Sequence, residues 1–598
     1  MRYLMTGNEA VARGVWEAGA EFAAAYPGTP STEILENISM YNKEDILAEW
    51  APNEKVALES GLGASMAGLR SFVSMKCVGV NASADPWMCM SYSGCNAGMV
   101  IAVADEPGQQ SSGQTAQDNR TFFKFAKYPF FEPSDSQEAK DMVKEAYRVS
   151  EAADTAVAIR LTTRVCHSKA IVELEDRQEY APHGYVRNPA KYVPVPGHSP
   201  ALLEKVMSKA DRLRQYSERT PFNREEMYDA GIGIICTGVS YCYAKEVFGQ
   251  SASYLKLGFL NPIPMDKIKT FAQKVDKLYI IEESDPIIED EVRLAGIECH
   301  GKNVLPKHGE LLPDVLRVKL LGAILPAADI DRGKIVPRPP MLCAGCPHRG
   351  FFYELGKLEN VMVSSDIGCY TLAWGEPFNA GDAGICMGSS LSLGHGFQQA
   401  MDKKGGGTKV VSVLGDSTFL HTGIQSLMDA VYNNSSTVNV ILDNRITAMT
   451  GHQENPTTGF TAQGDVAVEV DIPALCRAMG VKNIVTVDPN DLSAVRGALK
   501  EALARHGEGP SVIITRWPCA LKKFSQADKA EFPNLFTDRY SIDKDACIGC
   551  KLCLKVGCPA ITFESAIKKA EIGGECKGCS VCGQVCPKKA MVKKEARV

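Results

Sequence analysis

CIGCKLCLKVGCP (547–559) and CKGCSVCGQVCP (576–587) are the two stretches whose reading decides what the end of this chain is. Eight of the 21 cysteines fall in the last 52 residues, as two triads each followed by Cys-Pro. Two residues between cysteines wrap the backbone tightly, so three thiolates of one run reach three irons of one cubane. Proline then redirects the chain, and the fourth cysteine of each run serves the other cluster. By that logic Cys547, Cys550, Cys553 and Cys586 hold one [4Fe–4S] cluster, and Cys576, Cys579, Cys582 and Cys558 hold the other. Zinc ribbons use two cysteine pairs rather than triads, and disulfide frameworks belong to secreted chains. The tail is read as an electron carrier.

The second run is that of bacterial-type 2[4Fe–4S] ferredoxins, while the longer Cys553-x₄-Cys558 spacing departs from it. A length of 598 residues allows about four domains. Hydrophobic content of 45% and charged content of 23% are ordinary for a globular protein. A net charge of −6 argues against a nucleic-acid partner for the whole chain. The opening MRYLMTGNEAVARG lacks a charged and then apolar leader, and no 18-residue apolar run occurs, so neither signal peptide nor membrane span is expected. The thirteen other cysteines, without secretory context, fit a reducing cytoplasm, and oxygen-labile clusters suit an anaerobe. From Ser541 to Val598, eleven Lys/Arg stand against six Asp/Glu, a net of +5. Such a basic tail is either a solvated surface or a docking face for a small acidic electron carrier.

Alternating helical and strand-like stretches from 1 to 180 indicate a parallel α/β sheet. Val11–Tyr26 reads as an Ala-rich amphipathic helix ended by Pro27-Gly28-Thr29-Pro30, Val56–Gly68 as a second helix, and Ser71–Cys77 as a strand. Residues 181–225 are rich in Pro, Arg and Lys and read as a linker or irregular crossover. A second α/β unit spans 226–330, with buried strands at Gly231–Ile235 and Lys277–Ile281. The proline-rich join Val336–Pro340 leads to a third unit, 341–528, and the cluster-binding tail covers 535–598.

The third unit carries the second strong signal. The strand-like run Lys409–Leu414 ends in Gly415-Asp416-Ser417, a helical stretch Thr422–Tyr432 follows, and a second strand Val438–Leu442 ends in Asp443-Asn444. In an open parallel sheet, ligands sit beyond the C-terminal strand ends, so Asp416 and Asn444 point to one crevice. Mg²⁺ takes about six oxygens; Asp416, Asn444 and a carbonyl such as that of Ile446 leave room for a diphosphate and a water. This resembles the thiamine-diphosphate motif, Gly-Asp-Gly followed by a distant Asn, with Ser417 in place of the second glycine.

The strings YPGTPSTE (26–33), NEKVALESGLGASMAG (53–68), CAGCPHRG (343–350), DIGCYTL (366–372), GDAGICMGSS (381–390) and LDNRITAMTGHQ (442–453), with the ferredoxin tail, carry a full-length resemblance. The chain resembles the large (alpha) subunits of indolepyruvate ferredoxin oxidoreductases, within the 2-oxoacid:ferredoxin oxidoreductase family. The implied fold is multidomain α/β. It has a thiamine-diphosphate-binding pyrimidine domain (1–180), a transketolase-C-like domain (226–330), a diphosphate domain (341–528) and a 2[4Fe–4S] ferredoxin domain (535–598). The implied activity is oxidative decarboxylation of aryl 2-oxoacids, indole-3-pyruvate and phenylpyruvate, with coenzyme A and reduction of ferredoxin. Alternatives are a pyruvate or 2-oxoglutarate ferredoxin oxidoreductase, or a non-catalytic iron–sulfur electron-transfer subunit.

What the resemblance implies for single residues follows. Thiamine diphosphate needs a carboxylate against its pyrimidine ring, and the family's glutamate, nine residues before Gly63, is Glu54. Spacing alone does not choose it over Glu59. Thr29 is the candidate for the substrate carboxylate and Arg120 a weaker one, since Arg120 can simply pair with Asp118. Asp366, Gly368, Met387, Gly388 and Ser389 match cofactor-contacting positions, alongside Gly415, Asp416, Ser417 and Asn444. Of the histidines His167, His348 and His452, the last is the first to test as a proton-transfer group. Cys343, Cys346, Cys369 and Cys519 match cysteines that hold a third [4Fe–4S] cluster in related enzymes; zinc or unliganded thiols are the counter-readings. No segment is left for the domain that handles coenzyme A. A separate small (beta) subunit of roughly 200 residues is therefore expected, in a heterodimer or dimer of heterodimers, with external ferredoxin as acceptor.

Overall fold

The computed structural model describes residues 1–593 except 112, 182–183, 325–329, 337–338, 534 and 537–538. Part of the expected join at 336–340 and the last five tail residues thus lie outside the described residues. The chain divides into two compact units, Met1–Ile330 and Asp331–Val598.

Unit one is built on a seven-stranded sheet. Its order is Phe259–Leu260, Phe130–Phe131, Val157–Thr162, Met99–Asp105, Ser71–Lys76, Phe22–Ala25, Leu47–Trp50. All neighbours are parallel except the first pair. Ser71–Lys76 and Met99–Asp105 are buried at every residue, as expected of parallel strands covered on both faces. The expected helix over Val11–Tyr26 is corrected: the helix is Gly7–Glu17, capped by a Thr6/Glu9 capping box, and Phe22–Ala25 is a strand. Alanine favours helix, but Gly19 at φ 73° breaks the run, and two parallel partners then claim Phe22–Ala25. The helix Glu54–Ala67 starts from Asn53, whose side chain accepts the Val56 N–H, and ends at Gly68.

A four-stranded sheet follows in the order Lys277–Ile281, Ile232–Thr237, Ser253–Leu257, Asn223–Glu226, the last antiparallel. Phe259–Leu260, from the same stretch, pairs onto the edge of the first sheet. The expectation of an irregular 181–225 segment is also corrected. A 21-residue helix, Ser199–Arg219, runs through it and buries Leu202, Val206 and Leu213. One of the prolines that suggested a linker, Pro200, sits in the first turn, where its missing N–H costs nothing.

In unit two, five strands in the order Val361–Ser364, Lys409–Gly415, Val438–Asp443, Ser511–Arg516, Asn483–Val487 form an all-parallel sheet. The register sets Gly415 beside Leu442, so Asp416 and Asn444 leave the sheet from adjacent strands at the same end. The tail folds as two small antiparallel pairs, Ile561–Glu564 with Lys569–Ile572 and Tyr540–Ile542 with Met591–Lys593. Its core of Val556, Ile561, Ile572 and Val581 includes Leu492 of the preceding domain. Gln584 seals the join: its side chain accepts the Leu492 N–H at 3.0 Å and donates to the Asn490 carbonyl at 2.6 Å. Among the described residues no helix is long and apolar enough to cross a membrane.

Candidate active site and thiol cradles

Three neighbouring strands of the first sheet deliver side chains to one edge. Beyond Ala25 the turn Tyr26-Pro27-Gly28-Thr29 is closed by the Ser31 N–H donating to the Gly28 carbonyl at 2.9 Å. Gly28 lies so close to Lys76 that an added Cβ would stand 2.8 Å from the Lys76 Cβ. Lys76 ends the next strand, is buried, and its Nζ is 2.9 Å from Glu106 Oε2. Glu54 opens its helix, buried, with its side chain packed on Gly79, three residues after Lys76. Glu59 is exposed on the next turn and pairs with Lys55. Glu54, Lys76 and the Thr29 turn thus lie at the same end of neighbouring strands. Nothing in the strand SFVSMK singles out Lys76 in the sequence; only the sheet order brings it beside Thr29.

Arg120 is corrected as a substrate candidate. Its guanidinium is fully buried and committed to Asp118 at 2.6 Å, to Glu282 at 3.0 Å and to the carbonyls of Glu283 and Asp285. Burial would lower its pKa, but Asp118, Glu132 and Glu282 outweigh it and raise it, so Arg120 is a structural cation. His167 sits at the surface 3.7 Å from Glu33, whose hydrogen bond raises its pKa.

In unit two, Asp416 is buried, and its carboxyl is pushed up to about 7, first by burial and then by the like charge of Asp443. Asp443 itself is paired with Arg516 at 2.7 Å. Ser417 and Thr457 donate to Asp416 at 2.8 and 3.3 Å. The Asn444 Oδ1 accepts the Ile446 N–H at 3.1 Å, and its Nδ2 faces His348 Nε2 at 3.4 Å. Burial pushes His348 down to about 4, so the neutral imidazole can accept and orient the amide. A desolvated carboxylate beside a like charge, with an oriented amide oxygen nearby, fits a small oxygen-seeking divalent cation.

The remaining diphosphate-side candidates surround the same turn. Ser417 lies in the middle of a helical turn, Asp416–Thr418, so the missing second glycine of the motif is no obstacle. A π turn follows at Phe419–Gly423, a rare geometry found often at functional sites. From it Thr422 donates to the Met387 carbonyl at 2.8 Å and presses on Gly388, where a Cβ would stand 2.0 Å from its Oγ1. Gly388 also has φ 80°, so no other residue fits there without strain. Asp366 accepts the N–H groups of Gly388 and Ser390 at 2.9 Å each and thereby caps the helix Ser389–Lys404; burial pushes it up to about 6. Gly368 packs under the ring of Tyr370, whose hydroxyl lies 2.9 Å from that of Thr418. His452 is half-buried at φ 71° in a loop closed by Thr447 pairing with Gln453. Thr447 donates to Ser417 at 3.0 Å. Thr457 and Thr422 went unmarked in the sequence, and His348 was only one histidine among three, because tertiary neighbours and not spacing bring them to this site.

Cys343, Cys346, Cys369 and Cys519 come together next to this turn. Burial raises the pKa of Cys346, Cys369 (to about 12) and Cys519, and each also feels others of the set as like charges. The Cys519 N–H donates to the Asn444 carbonyl at 3.0 Å, so the thiols adjoin the Asn444 loop. Arg349, three residues after Cys346, donates to the Cys343 carbonyl at 2.8 Å and to the Val556 carbonyl of the tail at 2.9 Å.

Two cavities occupy the tail. One is lined by Cys547, Cys550, Cys553 and Cys586. The other is lined by Cys558, Cys576, Cys579 and Cys582, together with Gly345 and Arg349 of the preceding domain. Each set therefore combines three cysteines of one run with one of the other, and every cysteine is free of disulfides. Their environments differ. Burial pushes Cys579 up to about 11 and raises Cys582 further. Burial also opposes the Cys547 thiolate, but the N–H groups of Ala570 and Gly549 and the charges of Lys569 and Lys544 outweigh it and lower its pKa. Among the described residues no group of three or more His, Cys, Asp or Glu is arranged to hold a single metal ion.

Comparison with known proteins follows the same division. The family described as "Pyruvate flavodoxin/ferredoxin oxidoreductase, thiamine diP-bdg" matches residues 13–211. "Thiamine pyrophosphate enzyme, C-terminal TPP binding domain" matches 366–515, and "4Fe-4S dicluster domain" matches 539–587. The chain is 38% identical to indolepyruvate oxidoreductase subunit IorA of Pyrococcus abyssi, over 98% of this chain and 96% of that one. To the IorA subunit of Archaeoglobus fulgidus it is 37% identical, over 99% and 97%. Similarity to 2-oxoglutarate synthase subunit KorA of Methanothermobacter thermautotrophicus is 24%, over 51% of this chain and 94% of that one. With that identity sustained along nearly the whole length, the chain belongs to the IorA family of indolepyruvate oxidoreductase subunits, among the 2-oxoacid:ferredoxin oxidoreductases.

Proposed function

We propose that this chain is the catalytic large subunit of a thiamine-diphosphate-dependent indolepyruvate ferredoxin oxidoreductase. It converts aryl 2-oxoacids and coenzyme A to aryl-acetyl-CoA and CO₂ and passes the electrons to ferredoxin. The observation that carries this reading is the junction at Asn444. Its side chain belongs to the Asp416 crevice, and its carbonyl holds the N–H of Cys519, so a cation-and-diphosphate site and a thiol set are neighbours. Bound thiamine diphosphate supplies a carbon nucleophile for the keto group and an electron sink as CO₂ departs.

The chain's residues do the rest. Asp416, the Asn444 amide oxygen and the Ile446 carbonyl hold Mg²⁺ for the diphosphate, while Gly415 and Ser417 shape the turn. Asp366 braces the Met387–Ser389 loop, and Gly368 seats Tyr370 beside it. Glu54, in a crevice that excludes water, holds a proton against the pyrimidine ring. Thr29 donates to the substrate carboxylate, with the Lys76 charge behind it. His452 is the residue to examine for proton transfer. Cys343, Cys346, Cys369 and Cys519 hold a proximal [4Fe–4S] cluster, and the two tail cradles hold the other two. The naming of the relatives as subunits supports a partner, proposed as a beta subunit of roughly 200 residues in a heterodimer or its dimer. The cytoplasm is the proposed compartment.

The test is the anaerobically purified complex of this chain with its co-purifying small subunit, assayed with Mg²⁺, thiamine diphosphate and coenzyme A on a 2-oxoacid panel. Burial of an aryl group provides about 1.5–3 kcal/mol, so indolepyruvate and phenylpyruvate are expected to exceed pyruvate about 10- to 100-fold in kcat/KM. Pyruvate or 2-oxoglutarate coming out best would reassign the substrate. Full coenzyme-A-dependent turnover by this chain alone would remove the partner.

A further inference from the structure

The two tail cradles are not equivalent in where they face. The one lined by Cys558, Cys576, Cys579 and Cys582 is closed on one side by Gly345 and Arg349, residues of the Cys343–Cys346 loop. The other, lined by Cys547, Cys550, Cys553 and Cys586, opens outward: Cys550 is exposed and Ile548, between Cys547 and Gly549, is 58% exposed. Around that opening stand the exposed lysines Lys551, Lys568 and Lys588, with Lys569 donating to the Cys547 carbonyl. The Lys568 carbonyl packs on Gly549, and Lys551 Nζ lies 4.4 Å from the Phe563 ring centroid, which holds both at the rim. Four acids lie nearby, one of them Glu564, exposed and opposite Lys569 in the hairpin. Asp543 accepts the N–H groups of Asp545 and Ala546, Glu571 is 3.9 Å from Lys544, and Asp545 is exposed. The rim remains basic, with one apolar side chain at its centre.

We infer that electrons leave this protein through the Cys547/Cys550/Cys553/Cys586 cluster, at a face formed by Ile548, Cys550, Lys551, Lys568 and Lys588 that docks a small acidic one-electron carrier protein. The inference rests on the functional reading above, in which the tail clusters carry electrons away from the 2-oxoacid site. The inner cluster, against Arg349, receives them; the outer one delivers. In each encounter one electron passes from the reduced outer cluster to the oxidised centre of the carrier, and no bond or proton moves. Opposite charge at such a rim speeds encounter and fixes orientation, and an exposed apolar residue lets the two redox centres approach closely.

The experiment uses the anaerobic two-subunit enzyme, an acidic bacterial 2[4Fe–4S] ferredoxin as probe, and methyl viologen as a small acceptor that needs no docking face. The variant Lys551→Glu/Lys588→Glu is compared with Lys482→Glu/Lys500→Glu, which changes net charge equally at exposed positions of the preceding domain. At low salt the first is expected to raise the ferredoxin KM, and the Kd for oxidised ferredoxin measured without turnover, by about tenfold or more. Its salt dependence should flatten, and substrate-driven viologen reduction and iron content should be retained. Lys551→Gln/Lys588→Gln should give an intermediate effect, and is the variant to read if the Glu pair loses iron. Equal effects of the two Glu pairs, or an unchanged Kd at the outer face, would overturn the inference. Failure of the unaltered enzyme to reduce viologen with any 2-oxoacid would instead remove the functional reading beneath it.

Discussion

At the strand ends of the first sheet, buried charges meet their opposites inside the protein: Lys76 faces Glu106, and Arg160 faces Glu132 at 2.5 Å. At the strand ends of the five-stranded sheet, Asp366 and Asp416 are pushed up to about 6 and about 7, and Asp416 feels a like charge. Both crevices have the same topological origin, at the C-terminal ends of parallel strands. In the first, these basic side chains have carboxylates of the fold as partners. In the second, the acids are the proposed seat of a cation and, through it, of a diphosphate.

The sharpest way to break this contrast is to compare Asp416→Ala with Glu54→Gln. Asp416→Ala is expected to weaken Mg²⁺-dependent thiamine-diphosphate binding by about 100-fold or more, followed by calorimetry. Glu54→Gln should leave that affinity within a few-fold, yet cut turnover by about 10²- to 10⁴-fold. Equal losses of cofactor affinity would mean the division of labour is wrong.

A second comparison sets the Asn444-side thiols against the tail. Three cubanes give about 12 irons per chain and two give about 8. Cys519→Ser should take away about four while leaving the tail clusters' spectra unchanged. Iron that stays near 8 in both proteins would show that the four thiols hold no cluster.

Smaller effects probe the first crevice. Lys76→Met should raise KM for the 2-oxoacid by about tenfold while sparing thiamine-diphosphate affinity, since a charge-assisted contact to the substrate is lost. Glu106→Gln serves as the control, because a merely structural Lys76–Glu106 pair would make both variants lose thermal stability with KM unmoved.

Three buried carboxylates in unit one depart from this compensation: burial pushes Asp105 up to about 6, and Glu282 and Glu283 up to about 7. Glu283 is buried and pushed up to about 7, chiefly by burial, although it accepts the Leu311 N–H at 3.0 Å. The folded state thus holds its proton more tightly than the unfolded chain. That stabilisation is complete below about pH 4.5 and lost as pH rises through 7, a change of about 3 kcal/mol. Glu283→Gln should flatten the fall of apparent Tm between pH 5 and pH 8.

The strands Lys277–Ile281 and Lys409–Gly415 were legible because parallel strands covered on both faces are continuous apolar runs. The cross-run pairing of tail cysteines was legible because cubane geometry dictates spacing, and the two cavities are lined by those sets. Phe22–Ala25 was not, because alanine runs favour helix until tertiary partners decide otherwise. The helix through 199–219 hid behind a proline that marks helix starts as readily as linkers. Lys76 was hidden for another reason, and His348 stood out only as one histidine among three. Their significance lies in neighbours supplied by other strands and loops, which no local spacing encodes.

The Arg349 side chain, shared between the Cys343 and Val556 carbonyls, has a mechanical consequence. With Gln584 bonded to Asn490 and Leu492, it bolts the tail to the domain that carries Asn444. Such a tail is a soldered wire, not a swinging arm. Hops within the chain cross a constant gap, so their rate should be indifferent to solvent viscosity, and only the last step, to a diffusing carrier, should slow as the medium thickens.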